Sequence, residues 1–236
     1  MLITLELIIL WTAAFLPPII YAIWIRNTER YHRERWKAIA ASFLWGATIA
    51  IIAALILEIF LDAQVNISLE QGSLIQIIAT ILIAPFAEEL VKPLALSTKT
   101  IKRELNELED GIIYGAVAGL GFSATENLFY GTSFLEQGLL YFFILMTIRS
   151  IGGCLLHASA TAITGYGYGK TLLRHTSKLR ILPYFAIAML MHAAYNFLVS
   201  WETIGVVSGL FLAFVLVYIS IKGVRKKIVK LDNMTQ

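Results

Sequence analysis

Apolar residues in this chain come in long unbroken runs, without the strict alternation of half-buried strands or the narrow stripes of surface helices. A membrane-crossing helix needs about 20 mainly apolar residues. Residues 2–25, 38–61, 73–96, 110–130, 139–169, 181–201 and 204–222 meet that requirement. In lipid only helices and closed barrels satisfy their own backbone, and a barrel would show short alternating segments. The pattern therefore predicts an all-α, polytopic membrane protein of about seven transmembrane helices. The fifth run is too long for one perpendicular crossing, which predicts either tilt or an interfacial start at 139–146. The first run lacks a basic leader and a small-residue cleavage site, so it is expected to be a retained span.

The polar interruptions sort by sign. Arg26, Arg30, Arg33, Arg35 and Lys37 separate the first two runs, and Lys99, Lys102 and Arg103 separate the third from the fourth. Lys170, Arg174, Lys178 and Arg180 follow the fifth, and Lys222, Arg225, Lys226, Lys227 and Lys230 close the chain. The intervening connections at 62–72, 131–138 and 202–203 carry no Lys or Arg. The bias of cytoplasmic loops toward Lys and Arg predicts the N-terminus outside and the C-terminus inside. Of the 19 basic residues only Lys92 and Arg149 then lie at membrane depth.

Composition agrees. Hydrophobic residues make up 58% and charged residues 15%, against about 25% charged in soluble domains. A single integral membrane domain over 1–236 is expected, with a multi-pass cell-membrane location, a motif-bearing core at 84–200 and a cytoplasmic basic tail at 223–236. The lone Cys154 excludes a disulfide framework and any CxxC motif. Nothing in the charge pattern implies a nucleic-acid partner, and the oligomeric state is not readable.

The deep polar residues carry the candidate chemistry. Glu88, Glu89 and Lys92 lie in the third run, Glu126 and Asn127 in the fourth, Arg149 and His157 in the fifth, and His192 and Asn196 in the sixth. A charge at bilayer depth costs at least ~2.5–3.5 kcal/mol, so acids and histidines on four helices suggest one convergent site. Lys92 is spaced to pair with Glu88 or Glu89 on a helix. The two glutamates point about 100° apart, so one is expected to be held by Lys92 while the other works. Gly111, Gly115, Gly119, Phe122 and Glu126 share a helix face, which predicts that Glu126 points into the bundle near His157 and His192. A glutamate can act as a base toward water, and His and Glu are good zinc ligands. No HExxH helix, GxSxG elbow or paired aspartates occur. Buried acids and imidazoles also fit a proton- or ion-coupled transporter, although no internal repeat is evident, and a non-catalytic membrane scaffold is a third possibility.

The ordered set EELVK (88–92), GFSATEN (121–127), RSIGGCLLH (149–157) and HAAYN (192–196) resembles the PrsW family of intramembrane proteases. That resemblance implies a polytopic protease cutting a membrane-anchored protein, an anti-sigma factor among the candidates, with the lipid bilayer as its other partner. It also implies kinship with the CAAX prenyl endopeptidases, from which this chain departs in having EExxK and an acid in the second motif. Carried over, Glu88 or Glu89 is the base, while Glu126, His157 and His192 bind metal or water and Asn196 stabilises the oxyanion. Lys92, Asn127 and Arg149 complete the catalytic candidates. The extra carboxylate of Glu126 calls for a compensating cation, so a divalent metal, zinc by preference, is expected.

Overall fold

A computed structural model describes residues 2–200 and 205–234. The expected connection at 202–203, the run ends at 201 and 204, and the last two residues of the tail lie outside them. Every regular element among the described residues is helical. Helix α1 spans Leu2–Arg26. Helices α2 (Trp36–Leu44) and α3 (Ile51–Ser68) form one rod joined by a wide π turn, Trp45–Ala50. Helix α4 (Leu74–Val91) tightens into a 3-10 turn at Lys92–Ser97, and the short α5 (Lys99–Lys102) follows. The long α6 is Leu108–Leu135. Helices α7 (Leu139–Ile148) and α8 (Cys154–Leu173) form a second rod through a π turn at Arg149–Gly153. Helices α9 (Leu182–Ser200) and α10 (Val206–Asp232) complete the bundle.

Among the described residues six of the rods, not seven, are long and apolar enough to cross a membrane. The exception is α6, and its packing gives the reason. Every residue from Glu109 to Ala124 is buried, so this helix faces protein on all sides and has no need of lipid-like side chains. Helix α10 continues through the expected tail from 223 as far as Asp232.

The core is organised by the contact of α6 with α8. Gly111 lies against Gly165 and Gly169, Gly115 against Thr161 and Gly165, and Gly119 against His157, so the two helices run antiparallel at backbone contact. Small residues permit such close approach. A Cβ added at Gly115 would sit 2.5 Å from the Thr161 carbonyl oxygen. Gly115→Val is therefore expected to destabilise the bundle by about 1–3 kcal/mol, read as a lower melting temperature in detergent. An unchanged melting temperature would show that the spacing is slack.

The basic loops gather at one end. The backbone N–H groups of Arg30 and Tyr31 donate to the Asp232 carboxylate at 2.8 and 3.3 Å. Arg35 pairs with Glu104 at 3.3 Å, and Arg225 donates to Thr28 at 3.1 Å. Glu107 and Asp110 cap the start of α6 reciprocally, satisfying N–H groups that a helix start leaves open.

Burial, then the nearby Asp110, pushes the Glu29 carboxyl up to about 8. Burial, then a hydrogen bond with Asp110, pushes Glu34 up to about 11. A carboxyl raised on folding contributes stability that is full below its unfolded value and is lost as pH rises through the folded one. The melting temperature should thus fall between about pH 5 and pH 8, and Glu29→Gln should flatten that fall. Parallel curves for the two proteins would refute the assignment.

Candidate active site

The last turn of α4 carries Glu88 and Glu89, and the 3-10 turn that follows begins at Lys92. Lys92 is fully buried. Its ammonium lies 2.8 Å from Glu88 Oε2, 2.8 Å from Glu89 Oε1 and 2.8 Å from His157 Nδ1. It also stands 4.4 Å from the centroid of the Phe122 ring. Lys92 therefore reaches both glutamates, where the helical spacing suggested a partner for only one. The flexible lysine stem lets one ammonium reach both carboxylates, although their Cα–Cβ bonds diverge.

Glu89 is saturated. Its Oε1 is shared by Lys92 and by His192 Nδ1 at 3.0 Å, and its Oε2 accepts from Thr161 at 3.1 Å. Glu88 is held less firmly. Its buried Oε2 accepts no well-directed hydrogen bond despite the nearby ammonium, and lies 3.7 and 3.9 Å from the Nδ1 atoms of His157 and His192. The two imidazoles meet edge to face, with centroids 4.9 Å apart.

His157 connects this group to a second one. Its Nε2 lies 2.8 Å from Glu126 Oε2, and that oxygen pairs with Arg149 at 2.8 Å. Arg149 Nε donates to Asn127 Oδ1 at 2.7 Å, and Asn127 Nδ2 in turn faces Cys154 Sγ. With an ammonium donating to Nδ1, the Nε2 of a neutral His157 carries the proton and donates it to Glu126. Three carboxylates (Glu88, Glu89, Glu126) face two cations (Lys92, Arg149), leaving one negative charge in excess. A proton or a bound cation must balance it.

Glu126 thus points into the bundle as its glycine face predicts, close to His157. Asn196 lines a groove of about 350 Å³ with Ile81, Phe197 and Ser200, and among the described residues no hydrogen bond ties it to the cluster. Glu58 on α3 escaped notice in the sequence. It lines another groove with Thr80 and Ile83, and is close enough to Glu88, Glu126, Lys92 and His192 to interact electrostatically. The signal was present, since Glu58 is itself an acid inside the second apolar run.

Glutamates and histidines converging from α4, α6, α8 and α9 inside an apolar helical bundle define a particular kind of protein. Residues 34–221 match the family described as "PrsW family intramembrane metalloprotease". The chain belongs to the PrsW family. It is an intramembrane protease, a hydrolase. Among curated PrsW proteins, Protease PrsW of Clostridioides difficile (strain 630) is 29% identical over 197 residues, 82% of this chain and 80% of the relative. Protease PrsW of Oceanobacillus iheyensis is 31% identical over 96 residues, 40% of this chain and 41% of the relative. No solved structure matches significantly.

The PrsW description includes a metal, and one group here could hold it. Glu88, Glu89, His157 and His192 are all buried and each offers a ligand atom within 4.8 Å of the others. Two imidazoles and two carboxylates suit zinc in kind and number, and Glu88 Oε2, ion-paired with Lys92 but without a directed hydrogen bond, has a lone pair to offer. Glu126, one of the three ligands expected, stands outside this group, on the far nitrogen of His157. The Lys92 ammonium already contacts three of the four donors, so a metal ion and this ammonium compete for one position.

Proposed function

We propose that Glu88 is the base that activates water for hydrolysis of a peptide bond in a membrane-anchored protein. The observation that carries this reading is the unequal holding of the two glutamates. Glu89 has every oxygen engaged, whereas Glu88 keeps a buried oxygen with no directed donor. A base needs that free lone pair to take a proton. Glu89 orients His192, and Glu126 orients His157 through its Nε2–H. Arg149 holds Glu126 and Asn127 in place from the π turn. A divalent ion held by Glu89, His157 and His192, with Glu88 beside it as the base, would supply acidification of water and polarisation of the scissile carbonyl. Asn196, lining the groove beside Ile81, is assigned to substrate contact rather than to the hydrolytic centre.

The topology proposed is N-terminus out and C-terminus in, with α6 as a seventh crossing inside the other six. Gathering of the basic loops at one end and the antiparallel run of α6 against α8 support it. A periplasmic-type reporter fused after Gln236 should be inactive; an active fusion would overturn the orientation. The substrate class follows from the resemblance: a membrane-anchored regulator, of which an anti-sigma factor is the leading example, at the cell membrane. Purified protein reconstituted with a single-span substrate should release a shortened product whose formation His192→Ala abolishes. Ion flux without any cleavage would instead mark the cluster as a relay.

A further inference from the structure

A second group of buried acids lies at the opposite end of α6 from Glu126. Glu29 comes from the loop after α1, Glu109 from the first turn of α6, and Asp232 from the end of α10. Their exposures are 0%, 1% and 0%, and each offers an oxygen within 4.8 Å of the others. Glu29 belongs to an equally tight group with Glu107 and Asp110.

Some of these oxygens have partners. Glu29 Oε2 accepts from the Glu34 N–H at 3.2 Å, and Asp110 Oδ2 from the N–H groups of Asn106 and Glu107 at 2.7 Å. Others have none. Glu29 Oε1, Glu109 Oε1 and Glu107 Oε2 are buried without a hydrogen-bond partner. An orphaned buried carboxylate oxygen costs more than an ordinary lost hydrogen bond. Two nearby arginines donate to backbone carbonyls. Arg26 donates to the Glu34 carbonyl at 2.6 Å and Arg33 to the Glu29 carbonyl at 2.9 Å. Among the described residues, neither Glu29 nor Glu109 forms an ion pair with Lys or Arg; the nearby pairs are Arg35 with Glu104 and His32 with Glu107.

We propose that Glu29, Glu109 and Asp232 form a structural site for a hard divalent cation, Mg2+ or Ca2+, distinct from the Glu/His centre. The donors are all oxygen, which favours these ions over zinc. Oxygens across a calcium ion lie roughly 4.6–5.2 Å apart, twice the usual bond length, so the observed spacing fits with little movement. The ion would replace the protons that crowded carboxyls otherwise retain. It would also tie the ends of three helices together, one of them the α6 rod that carries Glu126 and Asn127.

The test uses full-length Glu88→Gln/Glu89→Gln protein in detergent, so that the Glu/His centre does not contribute the binding. After chelator treatment, Mg2+ or Ca2+ should raise the melting temperature and titrate to about one ion per chain. Glu109→Gln in the same background should weaken that binding by more than roughly tenfold. Should that variant fail to fold, terbium added to the unsubstituted cap serves instead, with Ca2+ or Mg2+ expected to displace emission sensitised by Tyr114, whose hydroxyl donates to the Glu34 carboxyl. No thermal shift with either ion, equal binding by the Glu109→Gln protein, or terbium emission that neither ion displaces would overturn the proposal.

Discussion

Glu88→Gln is expected to lower peptide hydrolysis by about 10²–10⁴-fold, the usual contribution of a general base, while leaving the melting temperature nearly unchanged. The amide keeps the shape of the side chain and its place against Lys92, but has no basic oxygen to accept a proton from water. Glu89→Gln should behave differently. It replaces an acceptor shared by Lys92, His192 and Thr161, so stability and activity should fall together. Thermal denaturation beside a cleavage assay separates the two cases. Glu88→Gln protein retaining most of its activity would move the base to Glu89.

The second large effect belongs to Lys92. Removing one member of a buried ion pair costs about 3–5 kcal/mol, and Lys92→Met strips the counter-charge from two carboxylates at once. Its melting temperature should drop further than that of any single change on a lipid-facing surface. The same change empties the position for which ammonium and metal compete. Added zinc should therefore stabilise Lys92→Met protein more than the unsubstituted protein. Equal responses to zinc would show that the ammonium does not stand where the ion binds.

Helix-forming runs and the identity of the deep polar residues were legible in the sequence because lipid imposes a simple rule on both. Glu88, Glu89, Glu126, His157 and His192 stood out as charges and imidazoles that apolar runs should not contain, and the structure brings them together. What the sequence hid was three-dimensional. A straight helical wheel separates Glu88 from Glu89, but the 3-10 turn at Lys92 and the reach of its stem reunite them. Hydropathy promoted α6 to an ordinary span, whereas its Gly, Ser and Glu residues reflect burial against protein. Asn196 shares a helix face with His192, and the groove that it lines with Ile81, Phe197 and Ser200 could be seen only in the folded bundle. The acids of the opposite cap went unremarked because loop carboxylates look solvated until the fold buries them.

The π turn at Arg149–Gly153 sets a rotational phase. An α-helix advances about 100° per residue, and a π turn absorbs one residue beyond the ordinary count. Helix α7 can therefore pack its Phe142 and Met146 against α1 while α8 presents His157 to Glu126. Deleting Ile151, a residue exposed on the outside of that turn, would remove the surplus residue and keep the two halves in phase, whereas rewinding the turn into regular α-helix with every residue kept would turn one half of the rod by about 100° against the other. Either α7 would swing its aromatic face into lipid, or the imidazole would leave its carboxylate. In this rod the π turn that takes up one surplus residue acts as a gear tooth, and the meshing of two distant contacts depends on it.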